Sequence, residues 1–307
     1  MAAAEEEVVE EQPWVPTEDD ISDALSGLAK TEDGTSVVFT KLALPGKEGR
    51  RLASLQLPIT MLENVRHLDI SGNRFNTDIS EAVGQMEHLL SLKASASGLS
   101  AFVSDGTPFY YLQTIDLSKN QLTAWPGVKS PHLRYLNLCD NEIGSVTGLE
   151  QNPELQTLLL ANNKPLTSCD GLGLSTLREL TLTDCGIESL IGLSTLTISS
   201  LDLSNNALKD LNGLATSGVL KKLLLDGNPI DSVDAVDALA DVGLTELTLP
   251  EIPEAPSDMR AQVIRKLSQK GKDAISLWSL NGVAITTDEI ELAFPPPADP
   301  EHEPPSE

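Results

Sequence analysis

Short runs in which apolar and polar residues alternate recur along the chain, and each run is followed by an asparagine or a stand-in for it. Val65-Arg66-His67-Leu68-Asp69-Ile70-Ser71-Gly72-Asn73-Arg74-Phe75 is one copy of the pattern L-x-x-L-x-L-x-x-N-x-L. It returns from Leu112 to Leu122, Leu133 to Ile143, Leu155 to Leu166 with one inserted residue, Ile198 to Leu208, and Leu220 to Ile230. In two further copies Ser97 and Cys185 stand in for the asparagine. The second apolar position falls at residues 68, 92, 115, 136, 158, 180, 201 and 223, so successive copies lie 24, 23, 21, 22, 22, 21 and 22 residues apart. Chance does not space seven steps so evenly, and the period marks a repeat architecture.

Each copy predicts a short strand, because alternation with period two puts its apolar residues on one face. The asparagines Asn73, Asn120, Asn141, Asn163, Asn206 and Asn228 then fall into a ladder. An amide there can satisfy backbone groups of the neighbouring coil that would otherwise be buried unpaired. Cys185 substitutes in part. Ser97 has a shorter reach, which predicts a looser coil. The return half reads Φ-x-x-Φ-x-G-Φ, as in Leu122, Trp125, Gly127, Val128 and in Ile143, Val146, Gly148, Leu149. The same positions are taken by Leu166, Cys169, Gly171, Leu172, then Ile187, Leu190, Gly192, Leu193, then Leu208, Leu211, Gly213, Leu214. So short a return leaves room for 3₁₀ or single-turn helices and not for a full helix.

No coil buries its leucines alone, so stacking makes the core and both ends need caps. Thr17-Glu18-Asp19-Asp20 predicts a capped front helix with Ile21, Ala24, Leu25 and Leu28 on one side, followed by an opening strand from Phe39 to Leu44. Leu244 to Leu249 is a last strand. Ser257 opens a helix with Met259, Val263, Ile264 and Leu267 at helical spacing, and Leu280 to Thr286 closes the cap. The organisation read from this is an acidic, disordered 1–12, an N-terminal cap over 13–64, a solenoid over 65–250, a C-terminal cap over 251–294 and a disordered Pro/Glu tail over 295–307. The fold class is an α/β solenoid: a leucine-rich-repeat horseshoe with a parallel concave sheet, short 3₁₀ or helical convex turns and capped ends.

Composition narrows the function. The 46 acidic residues against 21 basic ones give a formal charge of −25. That argues against nucleic acid and an anionic membrane surface as partners, since both need clustered Lys and Arg. No run approaches the roughly 20 apolar residues of a membrane span. Met1 to Gln12 holds five Glu and no Lys or Arg, unlike a signal or transit peptide. Three cysteines, Cys139, Cys169 and Cys185, show no disulfide or zinc spacing, which points to a reducing, intracellular compartment. The histidines at 67, 88, 132 and 302 form no metal-ligand cluster, and no phosphate-binding or nucleophile motif is present. The expectation is therefore no enzyme, no cofactor, no metal and no small-molecule substrate. Trp125, Cys169 and Cys185 occupy template positions and read as core, and Cys139 reads as a passive small residue on the concave side.

What remains is the concave face, a common binding surface of solenoids. Alternation places Asp69, Lys93, Asp116, Tyr135, Leu159, Glu179, Asp202, Lys222 and Leu224 there as partner-binding candidates. Tyr135 and Leu159, on adjacent coils, form its apolar anchor. Arg260, Arg265, Lys266, Lys270 and Lys272 gather in the C-terminal cap and are candidates for meeting an acidic surface.

The template resembles the leucine-rich-repeat subfamily typified by the phosphatase-1 regulatory subunit, which also includes the spliceosomal leucine-rich subunit and an axonemal dynein light chain. The closing segment through Leu280-Asn281-Gly282-Val283-Ala284-Ile285-Thr286 looks like that subfamily's cap, with Asn281 where Asp is usual. Trp14-Val15-Pro16-Thr17-Glu18-Asp19, Leu25 to Leu28, Val65 to Ser71, His88-Leu89-Leu90-Ser91-Leu92-Lys93-Ala94, Leu136-Asn137-Leu138 and Val146 to Leu149 are similar to the ciliary radial-spoke leucine-rich-repeat protein. That likeness spans about residues 13 to 250 and departs at Ser97 and in the C-terminal cap. It implies a non-catalytic structural component of the third radial spoke, partnered by radial-spoke and other axonemal subunits and located in the cytoplasm, at the axoneme of a cilium or flagellum. The broader resemblance implies the alternative, a regulatory subunit that binds a protein phosphatase through the concave face.

Overall fold

The computed structural model describes residues 13–31, 35–58, 62–102, 109–125, 127–172, 174–193, 197–214, 220–240, 242–253, 255–268, 271 and 275–295. The acidic start and all but Pro295 of the Pro/Glu tail lie outside the described residues. The chain forms two compact units, Met1–Leu166 and Thr167–Glu307.

The first unit opens with helix α1 (Glu18–Ala24). Thr17 caps it: its hydroxyl accepts the Asp20 N–H at 3.1 Å while the Asp20 carboxylate accepts the Thr17 N–H at 3.0 Å. Ile21 is its buried residue. The helix stops earlier than its apolar spacing suggests. Leu25 is already extended, and Gly27 sits at φ +69°, so Leu25 and Leu28 belong to strand β1 (Leu25–Lys30) and not to the helical face predicted for them. Ser26 and Gly27 are poor helix formers, and Gly supplies the positive φ without steric cost. β1 pairs antiparallel with β2 (Val37–Ala43), the predicted opening strand.

From β2 onward the pairing is parallel and in register through β3 (His67–Asp69), β4 (Ser91–Lys93), β5 (Thr114–Asp116), β6 (Tyr135–Asn137) and β7 (Thr157–Leu159). Each strand is three residues long with a buried centre, Leu68, Leu92, Ile115, Leu136 or Leu158. Ile70, Leu117, Leu138 and Leu160 follow, also buried. Full burial of such a side chain contributes roughly 1.5–3 kcal/mol. Stacking supplies that burial, because a lone coil leaves its leucines open above and below.

The chain turns after each strand through a residue at positive φ, and the ladder asparagine follows. Lys119, Asp140 and Asn162 take this conformation at φ 57°, 56° and 60°. Asn141 shows how the ladder works. Its amide donates to the carbonyls of Leu117 and Leu138 at 3.0 Å each, and its oxygen accepts the Leu122 N–H at 3.0 Å. Asn73, Asn120 and Asn163 do the same between their own coils. The looser coil expected at Ser97 is not what is found. Ser97 is fully buried, its hydroxyl reaches the Ile70 carbonyl at 3.1 Å, and its own carbonyl takes the Phe75 N–H at 2.9 Å.

On the return side, short helical turns appear where the tight coil predicts them: α2 (Ser80–Gly84) and a 3₁₀ turn at Leu149–Gln151. Away from the return side, at the turn after β2, close approach also fixes composition. A Cβ on Gly46 would lie 2.1 Å from the Gly72 carbonyl oxygen, so no side chain fits. A second buried polar column runs along the return side. Ser130 donates to the Phe109 and Leu112 carbonyls, and Asn152 donates to those of Val128 and Ser130.

The second unit repeats the scheme with β8 (Glu179–Thr181), β9 (Ser200–Asp202), β10 (Lys222–Leu224) and β11 (Glu246–Thr248) in parallel register. Asn206 accepts the N–H groups of Cys185, Gly186 and Ile187, and Asn228 that of Leu208. A seven-residue 3₁₀ helix, Val233–Leu239, forms one return. Helix α3 (Met259–Leu267) begins two residues after the predicted Ser257. The closing segment does more than end the chain. β12 (Ser279–Leu280) adds a parallel strand to β11, turns at Asn281-Gly282 with φ 52° and 72°, and returns as β13 (Val283–Ala284). Positive φ at both turn residues is the two-residue hairpin geometry that Asn-Gly favours. Asn281 extends the ladder, accepting the Leu249 N–H at 2.8 Å. Helix α4 (Thr287–Ala293), capped by Thr286 and Glu289, packs Ala293 against Ala261 and Ile264.

Candidate functional site

The outward face of each sheet is built from the residues that flank the buried strand centres. In the first unit register makes two rows. One runs Lys41, His67, Ser91, Thr114, Tyr135, Thr157; the other runs Ala43, Asp69, Lys93, Asp116, Asn137, Leu159. The predicted candidates Asp69, Lys93, Asp116 and Leu159 therefore share a row, and Tyr135 lies in the other. Tyr135 stands opposite Thr157, so Leu159 is its diagonal neighbour, within reach of an aromatic ring. Both are half-buried. In the second unit Glu179 and Lys222 share a row, and Asp202 and Leu224 share the other.

The aspartates have local work as well. Asp69 accepts the Ser71 N–H at 3.1 Å, Asp116 accepts both the Ser118 N–H and its hydroxyl, and Asp202 accepts the Ser204 N–H at 2.9 Å. These bonds fix the turn that leads to the ladder position. Lys93 stands between Asp69 and Asp116 and is exposed. Lys222 pairs with Glu246 at 3.3 Å.

The face carries few perturbed groups. Partial burial, helped by Lys41 and Arg66, holds the His67 imidazole below its ordinary value. Burial pushes the Cys139 thiol up, with Asp140 and Asp116 adding to it. At the strand entrances a hydrogen bond from His132 (3.1 Å) lowers the Glu154 carboxyl, and Arg134 at 3.3 Å assists. Among the described residues no group of three or more His, Cys, Asp or Glu side chains is placed to hold a metal ion, and no helix is long and apolar enough to cross a membrane.

Three of the basic residues of the C-terminal cap are engaged within the chain. Arg260 pairs with Glu289 and donates to the Leu280 carbonyl at 2.8 Å. Arg265 donates to the Ala293 carbonyl at 2.7 Å and so closes the end of α4. Lys266 binds Asp234 and Asp237 at 2.8 and 2.9 Å. These contacts tie α3 to α4 and to the 3₁₀ helix, so the three side chains act as clamps between elements. Lys270 and Lys272 lie outside the described residues. The sequence reading missed two features of the outward face, the exposed apolar side chains of Leu28 and Phe39, which register sets opposite each other. The signal was the alternation Val37-Val38-Phe39-Thr40-Lys41, whose outward members are not all polar.

Comparison with known proteins agrees with this geometry. Models described as "Leucine Rich Repeat" match residues 64–86 and, in a second form, 129–146. The chain is 34% identical to leucine-rich repeat-containing protein 23 of Homo sapiens over 241 residues, 69% of this chain and 68% of that protein. The Bos taurus protein of the same name is 31% identical, over 68% of this chain and 67% of its own length. Among solved structures, a leucine-rich-repeat protein of Leptospira interrogans superposes with a TM-score of 0.57 at 23% identity, over 80% of this chain and 63% of that one. The functional domain of InlJ from Listeria monocytogenes gives 0.54 at 18% identity, over 80% and 55%. These two likenesses concern the fold alone.

Proposed function

Because this chain belongs to the leucine-rich-repeat family, we propose that it is a non-catalytic scaffold that holds other proteins along the outward faces of its sheets, as a structural component of the radial spoke in the axoneme of a motile cilium or flagellum. The observation that carries the scaffold reading is the in-register outward face. Rows of small polar, charged and half-buried apolar side chains are repeated on a backbone held by the ladder. A surface of this kind recognises shape and charge over several coils, because its strands are fixed by the ladder before any partner arrives. Tyr135 and Leu159 give it an apolar centre, and Lys93 between two aspartates gives it a charge pattern that a wrong partner would not match.

The axonemal placement rests on the likeness of Trp14 to Asp19 and of His88 to Ala94 to the ciliary radial-spoke protein. The test uses the full chain, tagged and expressed in cells with motile cilia. Retention with detergent-extracted axonemes, with cross-links from the outward face to radial-spoke subunits, is the expected result. Complete release into the detergent-soluble fraction would defeat the placement, and capture of a phosphatase catalytic subunit lost on Tyr135→Ala would replace it with the regulatory reading.

A further inference from the structure

The first unit's sheet begins on an open edge. β1 pairs with β2 alone, so about half of its backbone N–H and C=O groups face away from the sheet. Among the described residues the one bond to β1 from backbone outside β2 is that of the Leu25 N–H to the Ile21 and Ser22 carbonyls of α1, so the open run is Ser26 to Lys30. Proteins usually shorten, charge or cover such an edge. The closing strand of the second unit is treated that way: β13 has two residues, and Arg260 lies against the carbonyls of Val283 and Ala284. β1 has six residues, and among the described residues its run from Ser26 to Lys30 has no such cover.

Its outward face is also unlike the rest of this acidic chain. Register sets Ser26 opposite Lys41, Leu28 opposite Phe39, and Lys30 opposite Val37. All six are exposed, with Leu28 at 70%, Val37 at 62% and Phe39 at 45%. The patch thus holds three apolar side chains, two lysines and no acid, in a molecule whose formal charge is −25. Beside it lies a hollow of about 370 Å³ bounded by Ser26, Lys41, His67 and Lys93, with Asp69 as its one acid.

We propose that this edge accepts an extended segment of a partner protein whose outward-facing positions, every second residue, read acid, apolar, acid, and which adds to β1 as a further strand. Main-chain bonds to the open side of β1 would hold it. The outward apolar side chain would lie over Leu28 towards Phe39, and the outward carboxylates on either side of it would reach Lys30 and, across Ser26, Lys41. This is the strand-addition mode of peptide recognition, in which the backbone gives affinity and alternate side chains give selectivity. The inference deepens the scaffold reading by naming the chemistry of one partner, but it does not depend on where in the cell the chain resides.

The test uses the full chain and two blocked hexapeptides that carry the pattern on every second residue, Glu-Thr-Val-Thr-Glu-Thr (the Glu–Val peptide) and Lys-Thr-Val-Thr-Lys-Thr (the Lys–Val peptide). The Glu–Val peptide should bind and slow amide hydrogen exchange in residues 25–30, and the Lys–Val peptide should not. Phe39→Ala, and separately Lys30→Glu with Lys41→Glu, should each weaken binding about tenfold, equivalent to 1.4 kcal/mol. These positions are exposed, so unchanged thermal melting would show that the fold survives. Equal binding of both peptides, or binding without protection of β1, would overturn the proposal. So would protection of β1 in the isolated chain that vanishes on deleting residues 1–12, which would make the chain's own acidic start the occupant, or on dilution, which would make it a second copy. Release from axonemes with peptide binding intact would count against the spoke assignment alone.

Discussion

The Asn141 side-chain oxygen accepts the Leu122 N–H across two coils at 3.0 Å, while its amide closes two carbonyls. One side chain thus satisfies three backbone groups in a dry interior. Truncation to Ala would strand the Leu122 N–H, at about 1–3 kcal/mol, and take one bond each from the Leu117 and Leu138 carbonyls, which keep those from Asn120 and Asn163. Asn141→Ala should therefore lower unfolding free energy by roughly 2–4 kcal/mol in urea denaturation. Ser97→Ala should cost only about 1 kcal/mol, because the Phe75 N–H is held there by a backbone carbonyl. Equal losses at the two positions would contradict the ladder as described.

Trp125 is fully buried, and among the described residues its indole N–H has no acceptor. Burying an unpaired donor costs about 1–3 kcal/mol, so part of what the ring contributes by packing is cancelled. Trp125→Phe removes the donor and keeps most of the packing. It should cost less than about 1.5 kcal/mol, against roughly 3–5 kcal/mol for Trp125→Ala. Calorimetric melting of both variants checks the difference. A loss at Trp125→Phe as large as that at Trp125→Ala would mean that the indole N–H is bonded after all.

The solenoid was legible in the sequence because its physics is periodic. A leucine that must point inward every 22 residues or so, and an amide that must bridge coils, leave marks that no other fold requires. The ends were less legible because they obey no period. Leu25 and Leu28 lie at helical spacing from Ile21, yet Gly27 takes them into a strand. Helix α4 carried a readable signal, Thr286-Thr287-Asp288-Glu289, but its short apolar face gives little support without α3 beneath it. Asn281 looked like a departure from the usual cap and proved to be one more rung. Of the face candidates, alternation places the outward rows. It does not show that Arg260, Arg265 and Lys266 bind other elements of the chain, since their partners lie 20 to 32 residues away in sequence.

The three thiols should differ in reactivity. Burial, reinforced by Asp170, pushes Cys169 up to about 12, and Cys185 is equally hidden. Cys139 is only partly covered, though its thiol is raised too. The thiolate is the nucleophile, so none should react fast at pH 7.5. Alkylation followed by mass spectrometry should label Cys139 slowly in the folded chain. Cys169 and Cys185 should be labelled only in denaturant. Prompt labelling of Cys169 without denaturant would contradict its burial.

The clamp between Arg260 and Glu289 should make the C-terminal cap sensitive to acid. The Arg260 hydrogen bond, above all, holds the Glu289 carboxyl below its ordinary value, and the Thr286 N–H at 2.9 Å adds to this. A carboxyl depressed in the folded state stabilises the fold fully above its unfolded pKa, about 4.3, and loses that contribution as pH falls through the folded value. Glu289→Gln keeps the shape and removes the charge, so it should be less stable than the parent at pH 7. The gap should hold down to about pH 5 and close progressively below about pH 4. Urea denaturation of both proteins across this range measures the gap directly. Taking the difference cancels the other depressed carboxyls, Asp20, Glu154 and Asp234, which titrate alike in both. A gap that stays constant, or widens towards acid, would show that Glu289 does not hold α4 through its charge.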